Sequence, residues 1–195
     1  MKRIGLYGGS FDPVHLGHLL VAQAAREELT LDRLFFVPAA QSPFKPDRLL
    51  APAAQRLQML RLALASREWC EVDDQELRRG GVSYTIETVR DYHARFPEAD
   101  LCWLIGADHV AALPKWKAAA ELARLVEFLV IPRPRTGAPQ AESPVPEGFR
   151  LRQLRGFPFA VSSSEVRRRI AARLPVRDLL PAPVAEAIRN NQLYL

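Results

Sequence analysis

Strand-length apolar runs recur at Arg3 to Tyr7, Leu34 to Val37, around Cys70 to Val72, at Leu101 to Ile105 and at Phe128 to Ile131, with helical patterns between them. That alternation predicts an α/β fold built on a parallel sheet flanked by helices. The helices are expected at Leu16 to about Leu29, with Leu19, Leu20, Ala24 and Ala25 on one side and Arg26, Glu27 and Glu28 toward water. Others follow at about Pro52 to Ser66, at Thr85 to Ala94, and in a broken stretch from Ala107 to Leu125 interrupted at Pro114. The proline-rich segment 132–148 reads as a loop within one domain spanning 1–195. A short strand from Arg150 to Leu154 comes next. Val161-Ser-Ser-Ser-Glu165 then opens a further helix through about Arg173, where Ser162 and Glu165 have the spacing of a capping box.

The chemistry concentrates at the end of the first apolar run. Residues 8 to 18 read GGSFDPVHLGH. A buried parallel strand ending in a glycine pair opens at the edge of the sheet where ligands bind. Gly8 and Gly9 are expected to adopt positive φ and to let an anion approach backbone N–H groups. Asp12-Pro13 reads as a turn into the first helix. His15 and His18, three apart, would share one face of its first turn, where the helix N-terminus adds partial positive charge. A lone histidine reads as a cap or a packing residue; a pair spanning Gly17 behind a glycine loop reads as a phosphate site. It is not a P-loop, because no Gly-Lys-Ser or Gly-Lys-Thr follows the glycines, and the G-x-G-x-x-G fingerprint of dinucleotide binders is missing here as well.

Composition narrows the class. The chain has 195 residues, 48% hydrophobic, enough for one substantial core. Its net charge of +5 is concentrated late: eight arginines (150, 152, 155, 167, 168, 169, 173 and 177) lie between Phe149 and Arg177 against one acid, Glu165. That bias suggests a polyanion nearby, and Arg167 stands one turn into the serine-capped helix as a second anion contact. No RNA-binding motif is visible, so small anionic molecules explain the bias without a nucleic-acid partner. Cys70 and Cys102 show no metal-ligand spacing and read as buried reduced thiols. Neither a signal peptide nor an apolar run long enough to span a membrane is present, and a cytoplasmic protein is expected.

GGSFDPVHLGH, with VSSSEVR at 161–167, resembles the two signature motifs of the H-x-G-H nucleotidyltransferases, which have a Rossmann-like fold. Pro43-Phe44-Lys45, Ser83-Tyr84-Thr85, Ile105-Gly-Ala-Asp-His109, Pro114-Lys-Trp116 and the stretch LLPAPVAEAIRNNQLY resemble, in order and spacing, the bacterial nicotinate-mononucleotide adenylyltransferases. The similarity spans nearly the whole chain. One departure is Ser42-Pro43-Phe44-Lys45 where that family usually has Pro-Pro-His-Lys, so Phe44 replaces a histidine.

The resemblance implies a small C-terminal helical part, 161–195, completing the ATP site. It implies AMP transfer from ATP to nicotinate mononucleotide, giving nicotinate adenine dinucleotide and pyrophosphate, with Mg²⁺ carried on the ATP phosphates rather than in a dedicated protein site. On that reading His18 contacts the α-phosphate, with His15, Lys45 and Arg167 around the triphosphate. Ser163 donates beside the amides of Gly9 and Ser10, and Gly8 and Phe11 complete the ATP-binding stretch. Asp108 accepts from a ribose hydroxyl. Trp116 stacks on the pyridine ring. Backbone N–H groups of Thr85, Ile86 and Lys117, beside Tyr84, hold the nicotinate carboxylate, while Lys45 and Arg133 reach the acceptor phosphate. The resemblance leaves a homo-oligomer open. Two rivals remain: a relative with another acceptor, such as the pantetheine-phosphate enzyme, and a non-catalytic RNA-binding protein using the arginine-rich third.

Overall fold

The computed structural model describes residues 2–44, 49–132, 145–157 and 159–195. Six parallel strands form one sheet: β1 (Arg3–Gly9), β2 (Arg33–Pro38), β3 (Cys70–Val72), β4 (Asp100–Gly106), β5 (Glu127–Ile131) and β6 (Leu151–Gln153), in the order β3-β2-β1-β4-β5-β6. The crossovers are α1 (Leu16–Leu29), α2 (Ala53–Leu64), α3 (Gln75–Arg79), α4 (Thr85–Arg95), a 3₁₀ helix (Ala107–Lys115) and α5 (Ala119–Leu125); α6 (Ser163–Ala171) and α7 (Ala182–Asn190) follow the sheet.

Strand alternation gives the sheet two buried faces, as a parallel sheet requires. Tyr7, Leu34, Phe36, Leu104 and Leu129 pack against α1, α2, α6 and α7 through Leu19, Ala22, Met59, Leu60, Val166, Val184 and Ile188. Ile4, Leu6, Phe35, Val37, Trp103, Ile105 and Phe128 pack against α4, the 3₁₀ helix and α5 through Ile86, Val89, Tyr92, Leu113 and Leu122. The strand order reverses between β1 and β4, so loops leaving their carboxyl ends diverge to opposite faces and open a crevice between them. Cys70 and Cys102 are buried free thiols. Among the described residues, no helix is long and apolar enough to cross a membrane.

Several expectations are corrected. Gly8 and Gly9 are not among the positive-φ residues; they continue β1, and the left-handed position in this turn belongs to Phe11, at φ 47°. What requires glycine at position 8 is close packing: a Cβ there would meet Trp103 Cζ2 at 2.5 Å. The broken helix parts at 116–118, where Ala118 takes φ 54°, while Pro114 sits inside the 3₁₀ segment. Ser162 caps α6 by accepting from the Glu165 N–H, but the Glu165 carboxylate turns to Arg168 rather than back to the cap. Of the late arginines, Arg152 pairs with Glu127 and Arg168 with Glu165, while Arg150 and Arg169 donate to the carbonyls of Arg124 and Pro175. Most of the 132–148 loop, together with Lys45 and Arg133, lies outside the described residues.

Candidate active site

The turn after β1 is fixed from behind. Arg56 of α2 is buried, and its guanidinium donates to the carbonyls of Ser10 (2.8 Å), Ala39 (2.8 Å) and Ala51 (3.1 Å). Those carbonyls are thereby engaged by a cation and do not oppose an anion in front of the loop. Burial pulls the Arg56 guanidinium down from its usual range, and Asp12 and Tyr194 push it back up. Phe11, also buried, packs its ring on Tyr7, Phe36 and His18 at centroid separations of 5.5, 5.5 and 5.0 Å. Its aromatic anchorage holds the left-handed backbone that swings the chain toward α1.

His15 is the N-cap residue of α1 and His18 lies one turn in; their rings stack at 3.7 Å. The His15 N–H donates to His18 Nδ1 at 3.1 Å. Because Nδ1 is thus an acceptor, the proton of a neutral His18 sits on Nε2, the ring nitrogen available to a ligand. Burial pushes His15 down to about 4; burial, then the neighbouring His15, holds His18 well below the ordinary imidazole value. Both rings are therefore neutral near pH 7 before a ligand arrives. Among the described residues, His15 Nδ1 is buried without a hydrogen-bond partner.

The second motif reaches the same turn from 150 residues away. Ser163 Oγ donates to the Pro13 carbonyl at 2.9 Å, and Arg167 donates to the Asp12 carbonyl at 2.6 Å and to Ser164 Oγ at 3.1 Å. The Asp12 carboxylate, 1% exposed, accepts from the Ala51 N–H (3.2 Å) and from the Tyr194 hydroxyl (2.7 Å). Glu28 of α1 accepts from the N–H groups of Arg155 and Gly156, both at 2.9 Å, which seats the chain between β6 and α6. Gly17 makes the join close, since a Cβ there would lie 2.9 Å from Val161 Cγ1.

Gly8, Gly9, Ser10, Phe11, His15, His18, Thr85, Asp108, Trp116 and Ser163 line one pocket of about 870 Å³. Arg167 stands behind its wall, next to Asp12 and Ser164, which are part of it. At the far end Phe44 faces Trp116 and His109, each at a centroid distance of 5.6 Å. The side chains of Tyr84, Ile86 and Lys117 are not in the lining. Ile86 is core, and Lys117 Nζ bonds Glu87 at 2.8 Å while lying 4.1 Å above the Tyr84 ring. What Thr85 and Ile86 present is backbone: they open α4, and first-turn N–H groups have no acceptor inside the helix. Among the described residues, no three His, Cys, Asp or Glu side chains gather as a metal ligand set. Sequence reasoning missed Arg56, Tyr194, Glu76 and the packing role of Phe44. The Asp12 within GGSFDPVHLGH was a signal for a hub; the others act through contacts with residues remote in sequence.

The cytidylyltransferase-like family model matches residues 6–169. A protein of Opitutus terrae carrying the name "Probable nicotinate-nucleotide adenylyltransferase" is 44% identical over 193 residues, 98% of this chain and 97% of that one. A protein of Herpetosiphon aurantiacus with the same name is 39% identical over the full length of both. The chain belongs to the nicotinate-nucleotide adenylyltransferase family. A solved nicotinic acid mononucleotide adenylyltransferase from Plasmodium falciparum, complexed with NaAD, superposes over 100% of this chain and 98% of that one with a TM-score of 0.81 at 19% identity, a likeness of fold. In this member of the nicotinate-nucleotide adenylyltransferase family, the pocket lies where β1, the start of α1 and the start of α6 meet.

Proposed function

We propose that this pocket transfers the adenylyl group of ATP to nicotinate mononucleotide, releasing pyrophosphate and forming nicotinate adenine dinucleotide. The observation that carries the reading is the joining of the stacked His15–His18 pair to Ser163 and Arg167 through Pro13 and Asp12. The attacking phosphate monoester has a second pKa near 6 and is already a dianion, so no general base is needed. What remains is to align two anions in line and to stabilise charge on the α-phosphate and the leaving pyrophosphate. His18 Nε2–H is placed to donate to an α-phosphate oxygen. His15, Arg167 and the amides of Gly9, Ser10 and Phe11 support the triphosphate, with Lys45 as the family motif implies. In this structure the Ser163 hydroxyl is spent on Pro13, so Ser163 acts by holding the two motifs together.

With no carboxylate or histidine cluster to hold it among the described residues, Mg²⁺ would be carried by ATP's own phosphate oxygens and water, and would supply charge neutralisation on the triphosphate. For the acceptor, Trp116 offers a ring face, Asp108 a ribose acceptor, and Thr85, Ile86 and Lys117 their N–H groups, with Arg133 toward the phosphate. An array of donors satisfies a carboxylate and leaves an amide NH₂ unpaired, which favours nicotinate over nicotinamide. Residues 161–195 complete the donor side within one domain, and the enzyme works in the cytoplasm on free nucleotides without nucleic acid or membrane.

Pyrophosphate release with ATP and, in parallel, nicotinate mononucleotide, nicotinamide mononucleotide or phosphopantetheine tests the reading. Turnover should be fastest with the nicotinate compound. A preference for phosphopantetheine, or no release with any of the three, would reject it.

A further inference from the structure

At the acceptor end of the pocket three polar side chains are withdrawn from water together: Glu76, Ser83 and Thr88, at 4%, 8% and 0% exposure. The adenylyl-transfer steps above use none of them. Thr88 Oγ1 donates to Glu76 Oε1 at 2.6 Å, and the neighbouring Ser83 hydroxyl offsets part of the rise that burial imposes on the Glu76 carboxyl. Ser83 Oγ accepts the Ala40 N–H at 2.9 Å, which leaves its own proton for the Glu76 side of the pocket. The Ser83 N–H donates to the Gln41 carbonyl at 2.9 Å, in the bridge that joins Gln41 to Val82. Ser83 therefore joins two strips of chain: the loop leaving β2, which carries Phe44 onto Trp116, and the approach to α4, whose first residue is Thr85.

Glu76 is the carboxylate beside that joint, tied to α4 through Thr88, and it stands on α3, a helix of five residues that has little stability of its own. Both Glu76 and Ser83 also line the pocket. We propose that Glu76 is a positioning residue for the nicotinate end of the acceptor: through Ser83 and Thr88 it sets the spacing between the Phe44–Trp116 wall and the first amides of α4. The inference rests on the acceptor assignment made above. It predicts an effect greatest on one substrate, because the bonds of Arg56 to Ser10 and of Arg167 to Asp12, which hold the donor loop, do not pass through Glu76 or Ser83. It also predicts that charge alone is not the point. A glutamine at 76 keeps the size but turns an NH₂ toward one of two hydroxyl donors, so one donor loses its acceptor.

The experiment is steady-state kinetics with both substrates for the wild type, Glu76→Gln, Ser83→Ala and the double variant, alongside thermal unfolding midpoints. Glu76→Gln should raise the KM for nicotinate mononucleotide about tenfold or more, with kcat and the ATP KM within about threefold. Ser83→Ala should raise the same KM, and the double variant should add little to the larger single effect. Equal changes in both KM values would mark Glu76 as merely structural and overturn the proposal. So would an unchanged or lowered nicotinate mononucleotide KM, the latter being the sign of simple charge relief. If Glu76→Gln fails to fold, Ser83→Ala reads the same joint alone. A wild type that does not turn over nicotinate mononucleotide rejects the acceptor assignment, whereas normal wild-type turnover with a silent Glu76→Gln rejects only this inference.

Discussion

His18 offers a proton at a fixed atom because the His15 N–H occupies its other nitrogen. His18→Ala should lower kcat by a hundredfold or more, about 3 kcal/mol of barrier, with the Kd of a non-hydrolysable ATP analogue changing much less. Single-turnover rates beside titration of the analogue separate the two, and a kcat within a few-fold of wild type would sink the assignment. The same burial has a cost in acid. His15 titrates at about 4 in the folded protein and near 6.5 when unfolded, so below pH 6.5 the unfolded chain binds a proton that the native state refuses. The contribution is whole above about pH 6.5 and is lost as pH falls toward 4, amounting to about 2 kcal/mol by pH 5. Urea unfolding at pH 7.5 and 5.0 should show that loss in the wild type and a smaller one in His15→Asn; identical losses would contradict it.

Among the elements, α1 spans the Leu16–Leu29 range that its amphipathic spacing predicts, and β3 occupies Cys70–Val72 as read. Both follow from local period and local apolar content, which a sequence displays directly. The glycine pair was legible as a site but not for its geometric reason, since Trp103 comes from another strand. Gly8→Ala should destabilise the protein by about 1–3 kcal/mol, because the clash is with a rigid indole, 5% exposed, in the core on that face of the sheet. Thermal unfolding checks this, and an unchanged midpoint would show that Trp103 has room to yield. α3 was not legible at all: QELRR has no apolar stripe, and Glu76 earns its place through the Thr88 hydroxyl on the next helix. The arginine run was legible as charge but not as contacts. Sequence counts charges, whereas their partners, Glu127 from β5 among them, arrive with the fold.

Across the whole molecule, the donor site depends on residues that never meet in sequence. Arg167 and Tyr194 bond to Asp12 from 155 and 182 positions away. Tyr194→Phe removes one donor to a buried carboxylate. It should cost about 1–2 kcal/mol of stability and raise the ATP KM several-fold while sparing the KM of the acceptor. Substrate-by-substrate kinetics decide this, and a change in the acceptor KM alone would contradict it. The formal charge of +5 counts every histidine as neutral, which His15 and His18 satisfy while the pocket is free. With both rings neutral, the histidine pair brings hydrogen-bonding nitrogens but no net charge to the free pocket, and so draws a stray chloride or phosphate less than a charged pair would.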